Sequence, residues 1–375
     1  MRKLKGAIFK GFCKASFWLC VAFLLLFLGT LIKNGVGEFS KFYIKTEFVV
    51  TENLLANPYS FESEYKKFIS RAWIRELPAL LRLQNAKAGD RIQTLATANA
   101  DVQSQLKLGV SKLNETQISQ VANLRNKGVI INKFSLDFFT KSDSKIPENA
   151  GFLSAIFGSV LVMCVAMMSA FPVGLASGIY LEKFAKDNKF SKFIEISINN
   201  LNAVPSIIFG LLGLAVFINF FGLPRSSIIV GGLVLGIMSL PVIIVSVRSA
   251  LRSVPESISQ AGYSLGLNKF QVIKDHVLPS AWSGILTGII MALAGAIGET
   301  APLMIVGMIA FVPEMATSLF SPSAVMPSQI FIWSGSPELI YVQKTSAAIL
   351  TLLFITFSLN LLAIILRNKI NKKAQ

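Results

Sequence analysis

Glu299 is the residue whose chemistry its surroundings explain least. It sits in Gly298-Glu299-Thr300-Ala301-Pro302, at the end of a stretch that carries no other charge from Val277 onward. A carboxylate in such a stretch costs several kcal/mol or more unless it pairs, keeps a proton or faces a wet cavity. It can accept a hydrogen bond from a protonated anion, or pair with a cation and part from it as a gate. A plain helix-end carboxylate at a membrane surface is the structural alternative. Gly298 and Pro302 loosen the helix around it, and unwound backbone in lipid survives only where it lines a cavity. Asn199, Asn200 and Asn202, ahead of Pro205, repeat the pattern, and for them hydrogen bonding between helices and lining a pathway are both open. The single histidine, His276, and the three cysteines, Cys13, Cys20 and Cys164, make no recognisable zinc or haem ligand set, so no metal or other cofactor is expected. With no nucleotide-cradling G-x-x-x-x-G-K-[ST] loop, G-x-S-x-G elbow or H-E-x-x-H pair, the chain reads as a non-enzyme.

These residues belong to a chain of 375, 53% hydrophobic and only 15% charged. Such a balance points to lipid as the solvent. Charge-poor stretches at 15–32, 149–181, 196–224, 226–247, 277–298 and 345–366 predict six membrane helices, since about 17 to 25 apolar residues cross the hydrocarbon core. Basic residues orient them. Arg2, Lys3, Lys5, Lys10 and Lys14 set the N-terminus inside, and Lys183, Lys186, Lys189, Lys192, Arg248, Arg252, Lys269, Lys274, Arg367, Lys369, Lys372 and Lys373 then fall on the same side. The formal net charge of +16 therefore reflects topology, and nucleic acid is excluded as a partner. The expected division is a cytoplasmic N-terminus with the first helix (1–33), an extracytoplasmic domain (34–150) and a five-helix transmembrane domain (151–375).

Within 34–150, Tyr65, Phe68, Ile69, Ala72 and Trp73 recur at helical spacing and predict a core-facing helix. Asp90 with Gln93, and Asn114 with Gln117, predict two further helix starts. The segment is thus expected to be a small, mainly α-helical domain.

Between the fourth and fifth helices, a loop at 253–279 predicts two short helices at the inner surface. Ser253 with Glu256 resembles a capping box ahead of the first, Gly266 suits its left-handed stop, and Asn268 caps a second that ends before Pro279.

Gln260-Ala261-Gly262, three residues, Gly266, then Leu278-Pro279 resembles the EAA motif of ABC-importer permeases, with Gln260 for Glu, Gly262 for the second Ala and His276 for Ile. The resemblance implies that Glu256, Gln260, Ala261, Gly262 and Gly266 dock on an ATP-binding subunit. The tract Gly298-Glu299-Thr300-Ala301-Pro302-Leu303 resembles that of phosphate permeases of the PstA type. So do Phe138-Phe139-Thr140, Pro147-Glu148-Asn149-Ala150-Gly151 and Ser346-Ala347-Ala348. Members commonly carry an arginine four residues before the Glu, where this chain has Gly295. The resemblance then implies that Arg248, Arg225 or a partner's arginine takes over its task.

The fold implied is the all-α, six-helix permease of a type I ABC importer with a small extracytoplasmic insertion, in the cytoplasmic membrane with both termini inside. The partners implied are a second permease of the PstC type, an ATPase dimer of the PstB type that binds the ATP, an external phosphate-binding protein of the PstS type, and membrane lipid. Gly298, Glu299, Thr300, Asn202 and Arg248 form the expected substrate pathway. The same architecture could carry sulfate or molybdate. A receptor would need a large cytoplasmic output domain, and a lone channel or transporter would leave the docking loop without a purpose.

Overall fold

The computed structural model describes residues 2–83 and 85–374. It divides into two compact units, Met1–Gly151 with Trp333–Thr351, and Phe152–Ile332 with Leu352–Gln375.

In the first unit, α1 (Arg2–Val36) leads into β1 (Ser40–Val49), followed by α2 (Arg71–Leu83), β2 (Arg91–Thr97), α3 (Ala100–Leu108), α4 (Glu115–Asn126) and β3 (Ile130–Phe134). Phe17, Trp18, Phe23 and Leu25 of α1 all point outward, as a helix bathed in lipid requires. The strands form an antiparallel sheet in the order β2-β1-β3, with Ile44 opposite both Ala96 and Ile130. Alternation along β1 turns Phe42, Ile44 and Phe48 into a core shared with Trp73, Leu77 and Leu81 of α2, Val102 of α3 and Val121 of α4. The unit still has more helix than strand, but its centre is a sheet that the sequence reading did not include.

Two local expectations change accordingly. The predicted helix from Asp90 is β2, because Asp90 accepts the Lys87 N–H at 2.7 Å within a turn and Arg91 onward pairs with β1. Tyr65–Ile69 is not helical through its length, since Ile69 bridges to Ala98 and the helix begins at Arg71; even so, Phe68, Ile69, Ala72 and Trp73 are buried together as their spacing requires. The start at Asn114 holds, with its N–H donating to Gln117 Oε1 at 3.1 Å.

Buried charge gathers beneath the sheet. Lys344 Nζ donates to Glu38 Oε1 at 2.7 Å and to the Ala150 carbonyl, Lys107 stands 3.9 Å from Glu38 Oε2, and Lys41 binds Asp137 at 2.8 Å. Burial lowers the Lys107 ammonium to about 8, helped by the charges of Lys344 and Lys41 and opposed by Glu38. Burial raises the Asp137 carboxyl, but hydrogen bonds and charge from Lys41 and Lys141 outweigh it and hold the group at about 2.

The second unit is helical: α5 (Leu153–Ile179), α6 (Lys189–Leu201), α7 (Ser206–Gly213), α8 (Ile228–Arg252), α9 (Glu256–Ser264), α10 (Lys269–Val272), α11 (Leu278–Ile297) and α12 (Ala301–Ile305). It also holds most of α13 (Met326–Ser334) and the later part of α14 (Ile340–Ala374). Among the described residues, five helices are long and apolar enough to span a membrane, and a sixth span exists if α6 and α7 are taken together. The predicted third helix is therefore broken. α8 is the centre of the bundle, and small residues let its neighbours approach closely. A methyl group on Gly174 of α5 would lie 2.6 Å from Ile243 Cγ2, and one on Gly178 would lie 2.7 Å from Val247 Cγ1.

Candidate functional site

Glu299 lies in a gap between helices. α11 ends at Ile297, Gly298 follows with φ −83°, and the Glu299 N–H donates to the Ala296 carbonyl at 3.2 Å before α12 starts at Ala301. Pro302 has no N–H to continue the ladder from α11, so the sequence breaks the span here. The second break lies between α6 and α7, which meet at 102° across Asn202–Pro205. Proline again marks the restart.

Packing brings the segments that follow the two breaks side by side. A methyl group on Gly210 of α7 would lie 2.8 Å from Pro302 Cα, and one on Gly213 would lie 3.2 Å from Val306 Cγ1. α7 and α12 thus run parallel, with Gly210, five residues past Pro205, beside Pro302 in the first turn of α12. Asn202, Pro205 and Gly298 are exposed, and Glu299 and Thr300 half-buried, on this chain. Among the described residues no cation lies within ion-pairing distance of the Glu299 carboxylate. A side chain at Gly295 would meet nothing within 4 Å, which leaves room there for a guanidinium supplied from elsewhere.

Arg248 is not that guanidinium. Gly288 of α11 packs on Ser246 of α8, only two residues from Arg248. Glu299 lies eleven residues further along α11 and its extension, a helical distance of roughly 16 Å. Arg248, 8% exposed, is instead clamped by two carboxylates, Glu182 Oε2 at 3.2 Å and Glu195 Oε1 at 3.0 Å. Arg252 Nε donates to Glu182 Oε1 at 2.9 Å. The cluster joins the end of α5, the middle of α6 and the last turns of α8. Arg225 is exposed and has no ion pair among the described residues.

From Arg252 the chain enters the predicted loop, whose details differ in two places. Ser253 closes α8 instead of opening α9, its hydroxyl donating to the Ala250 carbonyl at 2.7 Å, and α9 starts at Glu256 behind Pro255. The second helix does not stop at Pro279, because α10 runs through a π-helical turn straight into α11, with Pro279 in the first turn where its missing N–H costs nothing. Gly266 has φ +79°, and Asn268 and Gln271 cap each other at 2.9 and 3.0 Å. Gly262 is buried, and a methyl group there would stand 2.9 Å from Val272 Cγ2, so the two arms of the loop pack at close range. Glu256, Gln260 and Ala261 are exposed, as are Tyr263 at 47%, Leu265 at 79% and Phe270 at 63%. Sequence reasoning named the first three of these and missed the apolar residues beside them, although their position in a charge-bearing loop was a readable signal.

A family profile described as "Binding-protein-dependent transport system inner membrane component" matches residues 170–375. A probable ABC transporter permease protein, YqgI of Bacillus subtilis, is 33% identical over 174 residues, which are 46% of this chain and 59% of that protein. The phosphate transport system permease protein PstA of Xylella fastidiosa is 32% identical over 238 residues, 63% of this chain and 82% of that one. Among solved structures, a chain of the inward-facing MetNI methionine ABC transporter covers 57% of this chain and 94% of its own length, at 15% identity and a TM-score of 0.46.

Proposed function

We propose a function from one premise: the chain belongs to the family of binding-protein-dependent transport system inner membrane components. It is a multi-pass permease, not itself a catalyst, in the cytoplasmic membrane. Its task is to form half of the path by which an ATP-driven importer takes up inorganic phosphate. The relatives named PstA support phosphate as the cargo, and the implied partners follow: a second permease of the PstC type, two ATP-binding subunits of the PstB type that hydrolyse ATP, and an external phosphate-binding protein of the PstS type.

The observation that carries the reading is the Glu299 carboxylate, with no cation in ion-pairing distance among the described residues, in a broken span whose continuation packs on the segment after a second break. A carboxylate repels a dianion, yet hydrogen phosphate keeps a proton and can donate it in a hydrogen bond to Glu299. Fully ionised sulfate has no such proton, so the acceptor discriminates by leaving sulfate unpaired and repelled. Thr300 supplies a polar group next to it, and Asn202 supplies another at the second break. The loop at 253–279 carries the stroke: α9 presents Gln260, Tyr263 and Leu265 to the ATPase, while its continuity with α8 and α11 passes movement toward both breaks. In this reading residues 34–150 are outside, and both termini and the loop are inside.

The test is uptake of labelled phosphate by the reconstituted complex with its binding protein. Uptake that requires ATP is the expected result. Flux through this chain alone, without ATPase, would make it a channel and overturn the proposal.

A further inference from the structure

The sheet-bearing unit holds a cleft of about 820 Å³ that the transport reading does not use. Its walls are the turn before α2, the first turn of α3, and Glu338-Leu339-Ile340, where α14 begins. Cations outnumber acids on these walls: Lys66, Lys67, Arg71, Lys112 and Lys145 against Asp101, Glu148 and Glu338. Two of the lysines are occupied, Lys66 on the Tyr59 carbonyl at 3.0 Å and Lys67 on Gln120 Oε1 at 2.7 Å. Arg71 and Lys112 have no hydrogen-bond or ion-pair partner among the described residues. Ser104 is a separate signal. The residue is 3% exposed and its hydroxyl has no hydrogen-bond partner among the described residues, yet the oxygen is not fully sealed, so it opens onto the cleft that it lines. Glu148, 4% exposed, is the acid most enclosed by the wall, and burial raises its pKa toward the neutral form.

We propose that this cleft binds the phosphate group of an anionic ligand, with Arg71 and Lys112 as its cations and Ser104 as a hydroxyl donor. A guanidinium matches two oxygens of an oxyanion at once, and an ammonium adds a point charge. The volume exceeds what a lone phosphate needs and lies in the range of small-molecule sites, leaving room for an ester carrier. Because one wall is the first turn of a candidate span, the cleft opens at the membrane's edge. Phosphate reaches such a place as a lipid headgroup or as the free ion.

Delipidated whole complex in dodecyl maltoside, without ATP, distinguishes the sources. Equilibrium dialysis with labelled orthophosphate and titration with phosphatidylglycerol are run on wild type, on Arg71→Gln with Lys112→Gln, and on Ser104→Ala. The double variant is expected to weaken binding at least tenfold and Ser104→Ala several-fold, with circular dichroism and ATP-driven uptake unchanged. Loss for orthophosphate assigns the free ion, and loss for phosphatidylglycerol assigns the headgroup. Wild-type binding of both probes by the double variant and by Ser104→Ala overturns the site. Since neither measurement uses transport, that outcome leaves the permease reading standing.

Discussion

In the proposed function, selectivity at Glu299 turns on one proton. Glu299→Gln keeps the size of the side chain and removes its charge, and the new amide can donate to an anion that cannot donate back. Phosphate uptake should fall about 10- to 100-fold, the worth of a hydrogen bond to a charged group, while sulfate leak through the complex rises. Uptake assays with labelled phosphate and labelled sulfate read both, and unchanged values for each would remove Glu299 from the pathway. A second residue-scale prediction concerns Gly266, whose φ is +79°. That region suits glycine and tolerates asparagine. Gly266→Val should deplete the ATPase that co-purifies with the chain, whereas Gly266→Asn should retain most of it. Equal recovery from both variants would show that the turn does not shape the docking surface.

Among the elements, the clamp around Arg248 ties α8, which leads into the loop at 253–279, to α6, the helix that ends at the break before Pro205. Removing the carboxylates from a largely buried pair strands the remaining charge. Glu195→Gln together with Glu182→Gln is therefore expected to leave ATPase turnover largely intact while uptake per ATP drops severalfold, a ratio measurable in proteoliposomes. The spans themselves were legible in the sequence because lipid tolerates only long apolar helices, and Gly298, Pro302 and Pro205 announced the breaks in the same way. What no single segment could reveal is that α7 and α12 lie side by side, since that depends on Gly210 meeting Pro302 across the bundle. The sheet was missed for a related reason. Asp90 and Gln93 satisfy a local helix-start pattern, whereas the pairing of Arg91–Thr97 with β1 is non-local; the alternation of Phe42, Ile44, Thr46 and Phe48 was the overlooked clue. The charge of Arg248 was visible in the sequence, whereas its two carboxylate partners, on other helices, were not.

For the molecule as a whole, stability should respond to pH through the charges beneath the sheet. Lys107 gives up its proton near 8 in the folded state, while an unfolded lysine holds its own to 10.5. Between those values the unfolded chain binds more protons, so the folded state gains as pH rises, by up to about 3 kcal/mol. Denaturant midpoints of the buried Trp73 fluorescence should climb from pH 8 toward pH 10, and Lys107→Met should flatten the climb. The opposite limb belongs to Asp137, whose contribution is present above its unfolded value of 3.8 and is lost as pH falls toward about 2. The neighbouring bond between Lys344 and Glu38 spans 306 positions in sequence and is almost dry. Its carboxylate comes from the stretch that closes the leading rod, and its ammonium from the beginning of the trailing one. A shortened version starting at Ser40 would leave an ammonium without its counter-ion in a place water barely reaches, a defect of roughly 3 to 5 kcal/mol. The turn that follows the first helix is thus no dispensable linker: a lineage or an engineer could discard it only by also replacing Lys344.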